Sequence, residues 1–131
     1  MATTTATLTL SSPDLTGDAL SLSTTATLTK AGTVTGLDQF TGIARKTFSS
    51  TSIATLIAKG DYTDDKAHKV YLKNTSTVAT ESLIVTIEAQ LLGRLYAGDW
   101  ALLPFNGDQD IKITPSVSTA VTVEYAVIYE A

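Results

Sequence analysis

The strongest constraint on this chain is a strict two-residue alternation at its C-terminal end. Val121, Val123, Tyr125, Val127 and Tyr129 alternate with Thr122, Glu124, Ala126, Ile128 and Glu130. Successive side chains of a strand point to opposite faces, so such a run fits a half-buried strand and no amphipathic helix. The same period governs Leu83, Val85, Ile87 and Ala89 against Ser82, Ile84, Thr86 and Glu88, and Val70 and Leu72 against Lys69, Tyr71 and Lys73. One apolar and one polar side is the pattern of antiparallel sheet. It predicts that Val85, Ile87, Val123 and Val127 face the core.

Turn chemistry separates these runs. Asn74-Thr75-Ser76, Gly93, Gly98-Asp99, Asn106-Gly107-Asp108 and Pro115 all interrupt a ladder or accept left-handed backbone. Trp100 to Phe105 reads as a short strand that Pro104 confines to a sheet edge or a strand end. About eight strands result, at the spacing expected of a sandwich or barrel, and no βαβ alternation competes. The expected fold is an all-β antiparallel sandwich with little helix.

The first 30 residues contain a near duplication. Thr4-Thr5-Ala6-Thr7-Leu8-Thr9-Leu10 recurs as Thr24-Thr25-Ala26-Thr27-Leu28-Thr29-Lys30, with Ser12-Pro13-Asp14 and Gly17-Asp18 supplying a turn between the copies. This predicts a Thr-rich hairpin over residues 1–30, ahead of a sandwich over 31–131. Three roles stay open for it: an arm that pairs with a neighbouring subunit, a hairpin in the chain's own sheet, or a low-complexity tail. Its polar, repetitive strands specify register weakly. Beyond it, Gly32, Gly36 and Gly42 punctuate short segments in which Phe40 and Ile43 are the expected buried anchors. Residues 52–59 fit both periods, since Ile53, Leu56 and Ile57 suit a helix and Ile53, Thr55 and Ile57 a strand; the segment is assigned to strand.

Composition narrows the classes of partner. The chain of 131 residues is 44% hydrophobic with a formal charge of −4, enough apolar content to fold and no net attraction for phosphate backbones or anionic lipid. Nucleic acid and membrane are therefore not expected partners. There is no cysteine, so neither disulfides nor thiolate zinc sites can staple the fold. Threonine and serine together form roughly a quarter of the sequence, which favours pleated, half-buried surfaces. The first residues carry no basic segment and no apolar run of the kind found in a cleaved secretion signal.

A search for chemistry returns little. His68 is the single histidine and sits among Lys66, Ala67 and Lys69, which suggests a solvated loop position and not a catalytic base. No nucleophile elbow, phosphate-binding loop, dinucleotide fingerprint or zincin motif occurs. Asp64-Asp65 and Asp108-Gln109-Asp110 do not match a calcium loop and read as solvated turns. Arg45-Lys46 is a lone basic pair. Tyr96, Trp100 and Phe105 cluster around the bends after Gly93; a sugar platform is one reading, and core or interface packing the favoured one, with the tryptophan as an anchor. No catalytic, cofactor or metal residues are assigned, and the chain is expected not to be an enzyme.

Three segments carry a resemblance: Lys69-Val70-Tyr71-Leu72-Lys73-Asn74, then Leu92-Gly93-Arg94-Leu95-Tyr96-Ala97-Gly98-Asp99-Trp100-Ala101, then Val121-Thr122-Val123-Glu124-Tyr125-Ala126-Val127-Ile128. In this layout, which covers about the last half of the chain, the sequence resembles small virion proteins of tailed bacteriophages. The resemblance implies a jelly-roll-like domain acting as a capsid decoration, or cement, protein. It further implies a homotrimer on the outer head surface, bound to the major capsid protein lattice after assembly in the host cytoplasm. A tail or fibre component and a carbohydrate-binding sandwich module are the alternatives.

Overall fold

The computed structural model describes residues 2–131, so residue 1 of the 1–30 hairpin segment lies outside the described residues. It contains eleven strands and no helix among those residues: β1 (Thr4–Ser12), β2 (Leu20–Leu28), β3 (Gln39–Phe40), β4 (Ala44–Phe48), β5 (Ala54–Ile57), β6 (His68–Asn74), β7 (Leu83–Ile87), β8 (Gln90–Leu95), β9 (Trp100–Phe105), β10 (Ile111–Pro115) and β11 (Val121–Tyr129). Every pairing between them is antiparallel. The chain divides into two compact units, one ending at Asp38 and one from Gln39 to Ala131.

The second unit is a two-sheet sandwich. One sheet has the order β3-β11-β6-β9, with β4 also paired to β11, and the other has the order β5-β10-β7-β8. From β4 onward, eight strands are dealt between the sheets so that one holds the first, eighth, third and sixth and the other the second, seventh, fourth and fifth. That is the double Greek-key winding of a jelly roll. The eight strands read from the sequence are not these eight, because three elements were missed. β3 and β4 lie in the glycine-punctuated stretch, and β8 runs through Gly93, which reads as a bend. Gly93 pairs with Val85 beside a register shift between Val85 and Thr86, so the glycine marks a bulge within a strand and not its end.

Alternation places the core. Inward residues of β6, β10 and β11, among them Val70, Leu72, Ile111, Ile113, Val123 and Val127, are essentially inaccessible, and Leu83 and Val85 of β7 join them. Val85, Val123 and Val127 face inward as expected. Ile87 packs against the core while only half-buried, and Thr86, expected on the polar face, is buried. Ile87 keeps the core face, opposite Ile111 in the unbroken register with β10, while the extra residue of the bulge, Leu92, lies on β8. Residues 52–59 contain strand β5, as assigned, paired with β10 across a second shift between Ile111 and Lys112.

Phe40 and Ile43 correct the sequence reading, since both are exposed. The register opposes Phe40 to Ile128, whose neighbours Val127 and Tyr129 point to the core side, so Phe40 falls on the outer face. The buried apolar residue nearby is Leu37, whose amide donates to the Leu28 carbonyl at 3.0 Å within the first unit.

That first unit is built on a two-stranded sheet in which β1 and β2 pair without a shift from Thr4↔Leu28 to Ser12↔Leu20. Residues directly opposite one another share a face. Thr5, Thr7, Thr9 and Ser11 therefore lie beside Thr27, Thr25, Ser23 and Ser21 on a face made wholly of hydroxyl residues, where the Thr7 and Thr25 hydroxyls are 3.2 Å apart. Ala6, Leu8, Leu10, Leu20, Leu22 and Ala26 share the other face.

These registers set neighbouring residues of β10 apart. Ile113→Ala should lower unfolding stability by about 2–5 kcal/mol and Lys112→Ala by no more than about 0.5 kcal/mol in urea denaturation. Similar losses at the two positions would mean that the strand faces are reversed.

Candidate functional site: the aromatic edge of the sandwich

Strands β8 and β9 are the free edges of their respective sheets and follow one another in the chain. Pro104, which has no amide to donate, is accommodated because β9 lies at an edge. Along β9 the inward residues Ala101, Leu103 and Phe105 pack on the core, while Trp100, Leu102 and Pro104 point out. The β6–β9 register opposes Trp100 to Lys73, Leu102 to Tyr71 and Pro104 to Lys69, all three of them outward residues of β6. Trp100, the single tryptophan, is consequently 52% exposed, and Tyr96 in the preceding turn is 54% exposed. Of the three aromatic residues grouped by sequence, only Phe105 is buried, so of the two packing roles expected for the cluster, core or interface, Trp100 and Tyr96 do not take the core one. Leu91, Leu92 and Leu102 are exposed as well. Between the two edges lies an apolar slot of about 160 Å³ lined by Val85, Leu92, Leu95, Ala101 and Leu103 with Gly93 and Arg94.

The turn that presents Tyr96 and Trp100 is fixed from inside the protein by Asn74. This fully buried residue ends β6 in phase with Val70 and Leu72. Its Nδ2 donates to the carbonyls of Leu95 at 3.2 Å and Glu81 at 3.1 Å, and its Oδ1 accepts from the Ser76 amide at 3.0 Å. Its backbone accepts from the Gly98 amide at 2.9 Å and donates to the Asp99 carbonyl at 3.0 Å. Asp99 closes the turn: its Oδ2 accepts from the Tyr96 amide at 2.9 Å, and its own amide donates to the Tyr96 carbonyl at 2.9 Å. Gly98 adopts φ +83°, which a β-carbon would strain. The Lys-Asn and Gly-Asp pairs of the sequence are thus the two halves of one turn lock. Sequence spacing showed each as a turn signal and gave no sign that they bond to one another.

A polar network borders this surface. Glu124 accepts from Arg45 Nη2 at 3.0 Å and Nε at 3.2 Å, and from the Tyr71 hydroxyl at 3.0 Å. The hydrogen bonds from Arg45 and then Tyr71 hold the Glu124 carboxyl below the usual carboxylate range. Burial, followed by the Glu124 hydrogen bond, pushes the Tyr71 phenol up. Arg45 and Lys46 do not combine into a basic patch. Arg45 turns to Glu124, whereas Lys46 reaches the Thr55 carbonyl at 3.3 Å and lies 5.4 Å from the centre of the Phe48 ring.

His68 occupies neither a loop nor the surface. It is 0% exposed at the start of β6, in phase with Val70 and Leu72, and that phase was legible in the sequence. The Glu130 amide donates to Nδ1 at 3.1 Å, so the other nitrogen, Nε2, carries the proton and donates to the Thr63 carbonyl at 2.8 Å. The ring packs 5.6 Å from Tyr62 and 6.0 Å from Phe105, between centroids. Both nitrogens are engaged in structure, which leaves neither for proton transfer. The acidic pairs also serve turns. Asp110 Oδ1 accepts from the Lys59 amide at 2.7 Å, and the Asp110 amide and carbonyl bond to Glu88 at 3.0 and 2.9 Å. Asp65, at φ +60°, accepts from Asn106 at 3.3 Å. No group of three or more His, Cys, Asp or Glu side chains is arranged to hold a metal among the described residues. The chain matches no protein-family model, no curated protein and no solved structure.

Two outcomes test this geometry. Asn74→Ala leaves the buried Leu95 carbonyl and the partly buried Glu81 carbonyl without this donor, which should cost about 1–3 kcal/mol and lower the fluorescence anisotropy of Trp100 as the turn loosens; unchanged anisotropy would contradict the lock. Glu124 has a folded-state pKa lowered from 4.5, so its contribution to stability is complete above that value and is lost as pH falls through the lowered one. The gap in urea midpoint between the wild type and Glu124→Gln should be widest near neutrality and close below pH 4.5; a gap constant into strong acid would show that the carboxylate charge is immaterial.

Proposed function

We propose that this chain is a non-catalytic structural protein that docks on a protein lattice through its β8–β9 edge, as a decoration protein on the outer head surface of a tailed bacteriophage. One observation carries the docking reading: a hydrogen-bonded turn presents Tyr96 and Trp100 to solvent, and the residues next to them in the chain, Leu95 and Ala101, line an apolar slot. Exposed apolar strips with polar borders mark interaction surfaces, and tryptophan and tyrosine are the residues that most often dominate binding energy. Lys73 on β6 and Arg94 on β8 lie beside the strip together with Asp99 and Glu124, so its border carries both signs of charge. The virion assignment comes from the resemblance of the last half of the sequence, and the jelly roll agrees with it. A protein that binds only the assembled shell stabilises it by mass action, with no chemical step. The engagement of both His68 nitrogens supports a non-enzymatic role. A homotrimer is part of this proposal, since closed rings cover exposed edges.

A carbohydrate-binding role is the second reading, favoured by the exposure of Trp100 and Tyr96 alone. Against it, Asn74 and Asp99, which could have met sugar hydroxyls, are committed to the turn.

Binding to purified heads assembled without the protein tests the proposal. Trp100→Ala and Tyr96→Ala should each weaken binding by more than about tenfold while leaving the circular dichroism spectrum unchanged. Bound Trp100 should be shielded from acrylamide quenching. Absence of head binding, or equal binding by both variants, would overturn the assignment of this edge, and selective retention on a glycan array would transfer it to the second reading.

A further inference from the structure

A cavity at the far end of β9 from Trp100 has no part in the docking edge. It opens between the first residues of β6 and the last of β9, and its volume of about 320 Å³ falls in the range of small-molecule sites. Ile87, Pro104 and Phe105 give it apolar walls, while Lys66, Lys69, Asn106 and Gln109 bring polar side chains to it. The His68 ring lines it without adding charge, because Nδ1 accepts from the Glu130 amide and Nε2 donates to the Thr63 carbonyl.

The two lysines of the cavity differ in their partners. Lys66 is paired, with Nζ 3.6 Å from a Glu130 oxygen, and beside it Asn106 Nδ2 donates to Asp65 at 3.3 Å. Lys69 has no such pair. Its Nζ donates to the Ala67 carbonyl at 3.1 Å and reaches the His68 carbonyl at 3.5 Å, and no carboxylate lies within ion-pair distance of it among the described residues. An ammonium has three hydrogens to donate, so one is left over. A partly buried cation with no counter-charge is an unfavourable arrangement that a bound anion relieves.

We propose that this cavity binds a small monocarboxylate with an apolar body, its carboxylate on Lys69 and its body against Ile87, Pro104 and Phe105. Volume sets the size of the ligand. A cavity of about 150 Å³ takes a benzene ring, so one about twice as large holds a ring together with the arm that carries its acid. Charge sets the class. One uncompensated cation matches one negative charge, whereas a phosphate dianion would also meet repulsion from the nearby Asp65 and Glu130. The proposal concerns the free protein and does not rest on head binding.

Two-dimensional NMR of the full chain titrated with phenylacetate tests it, with phenylacetamide and inorganic phosphate as comparison solutes. Phenylacetate should give saturable shifts confined to the amides of residues 66–69 and 105–109, with a Kd near about 1 mM. Phenylacetamide, which keeps the ring and lacks the charge, should bind at least about tenfold more weakly, and so should phosphate. Lys69→Met should weaken phenylacetate binding at least about tenfold, whereas Lys73→Met, further along the same strand, should leave it unchanged; circular dichroism checks that both variants fold. No saturation up to about 10 mM, equal binding of phenylacetamide, or full binding by Lys69→Met would overturn the proposal. Tighter binding of phosphate than of phenylacetate would overturn it as well, by showing that charge alone fills the cavity.

Discussion

Strand β11 is the interaction on which the sandwich depends. Its nine residues bond to β6 along one side and to β4 and then β3 along the other, so it is central in its sheet and ties three separate stretches of chain together. Val121, Val123 and Val127 project from it into the core and meet Ile111 and Ile113 of the opposing sheet. Because the strand comes last in the sequence, all of its pairings are non-local. Loop closure must precede the gain from contact, and a jelly roll of this kind belongs among the slower-folding topologies.

From that centre, order passes outward to the edge through buried polar groups. Asn74 stands beside the core yet spends its hydrogen bonds on the turn that carries Tyr96 and Trp100. A mobile tryptophan would lose rotamer freedom on binding, whereas one set on a locked turn has surrendered part of it already. Exposed side chains on a pinned turn are therefore better suited to recognition than the same residues on a loose loop. His68 performs an equivalent task at the other end of β6, where it joins the last residues of the chain to the loop at Thr63.

How far the sequence disclosed this architecture depended on which force governed each segment. Where burial alone decided, as in β6, β7 and β11, period-two alternation gave both the strands and their inward residues. It placed Ile87 on the core side but misplaced Thr86, which is buried although the alternation puts it on the polar face. Phe40 and Ile43 were expected inside on hydrophobicity, and Trp100 in the core or at an interface, but the register with a neighbour decides which face a residue takes, and register is a tertiary fact. His68 was assigned from its charged neighbours when its phase with Val70 and Leu72 should have outweighed them. Long-range hydrogen bonds such as those of Asn74 left only a local turn signature in the sequence, so the edge was visible as an aromatic cluster while the device that orients it was not.

We propose that the β8–β9 edge docks on a capsid lattice. Electron cryo-microscopy of phage heads incubated with the purified protein is the decisive measurement. The expected result is a jelly roll on the outer shell with Tyr96 and Trp100 covered by capsid subunits. A jelly roll bound to the head with that edge turned to solvent, or a head with no density for the protein, would contradict it.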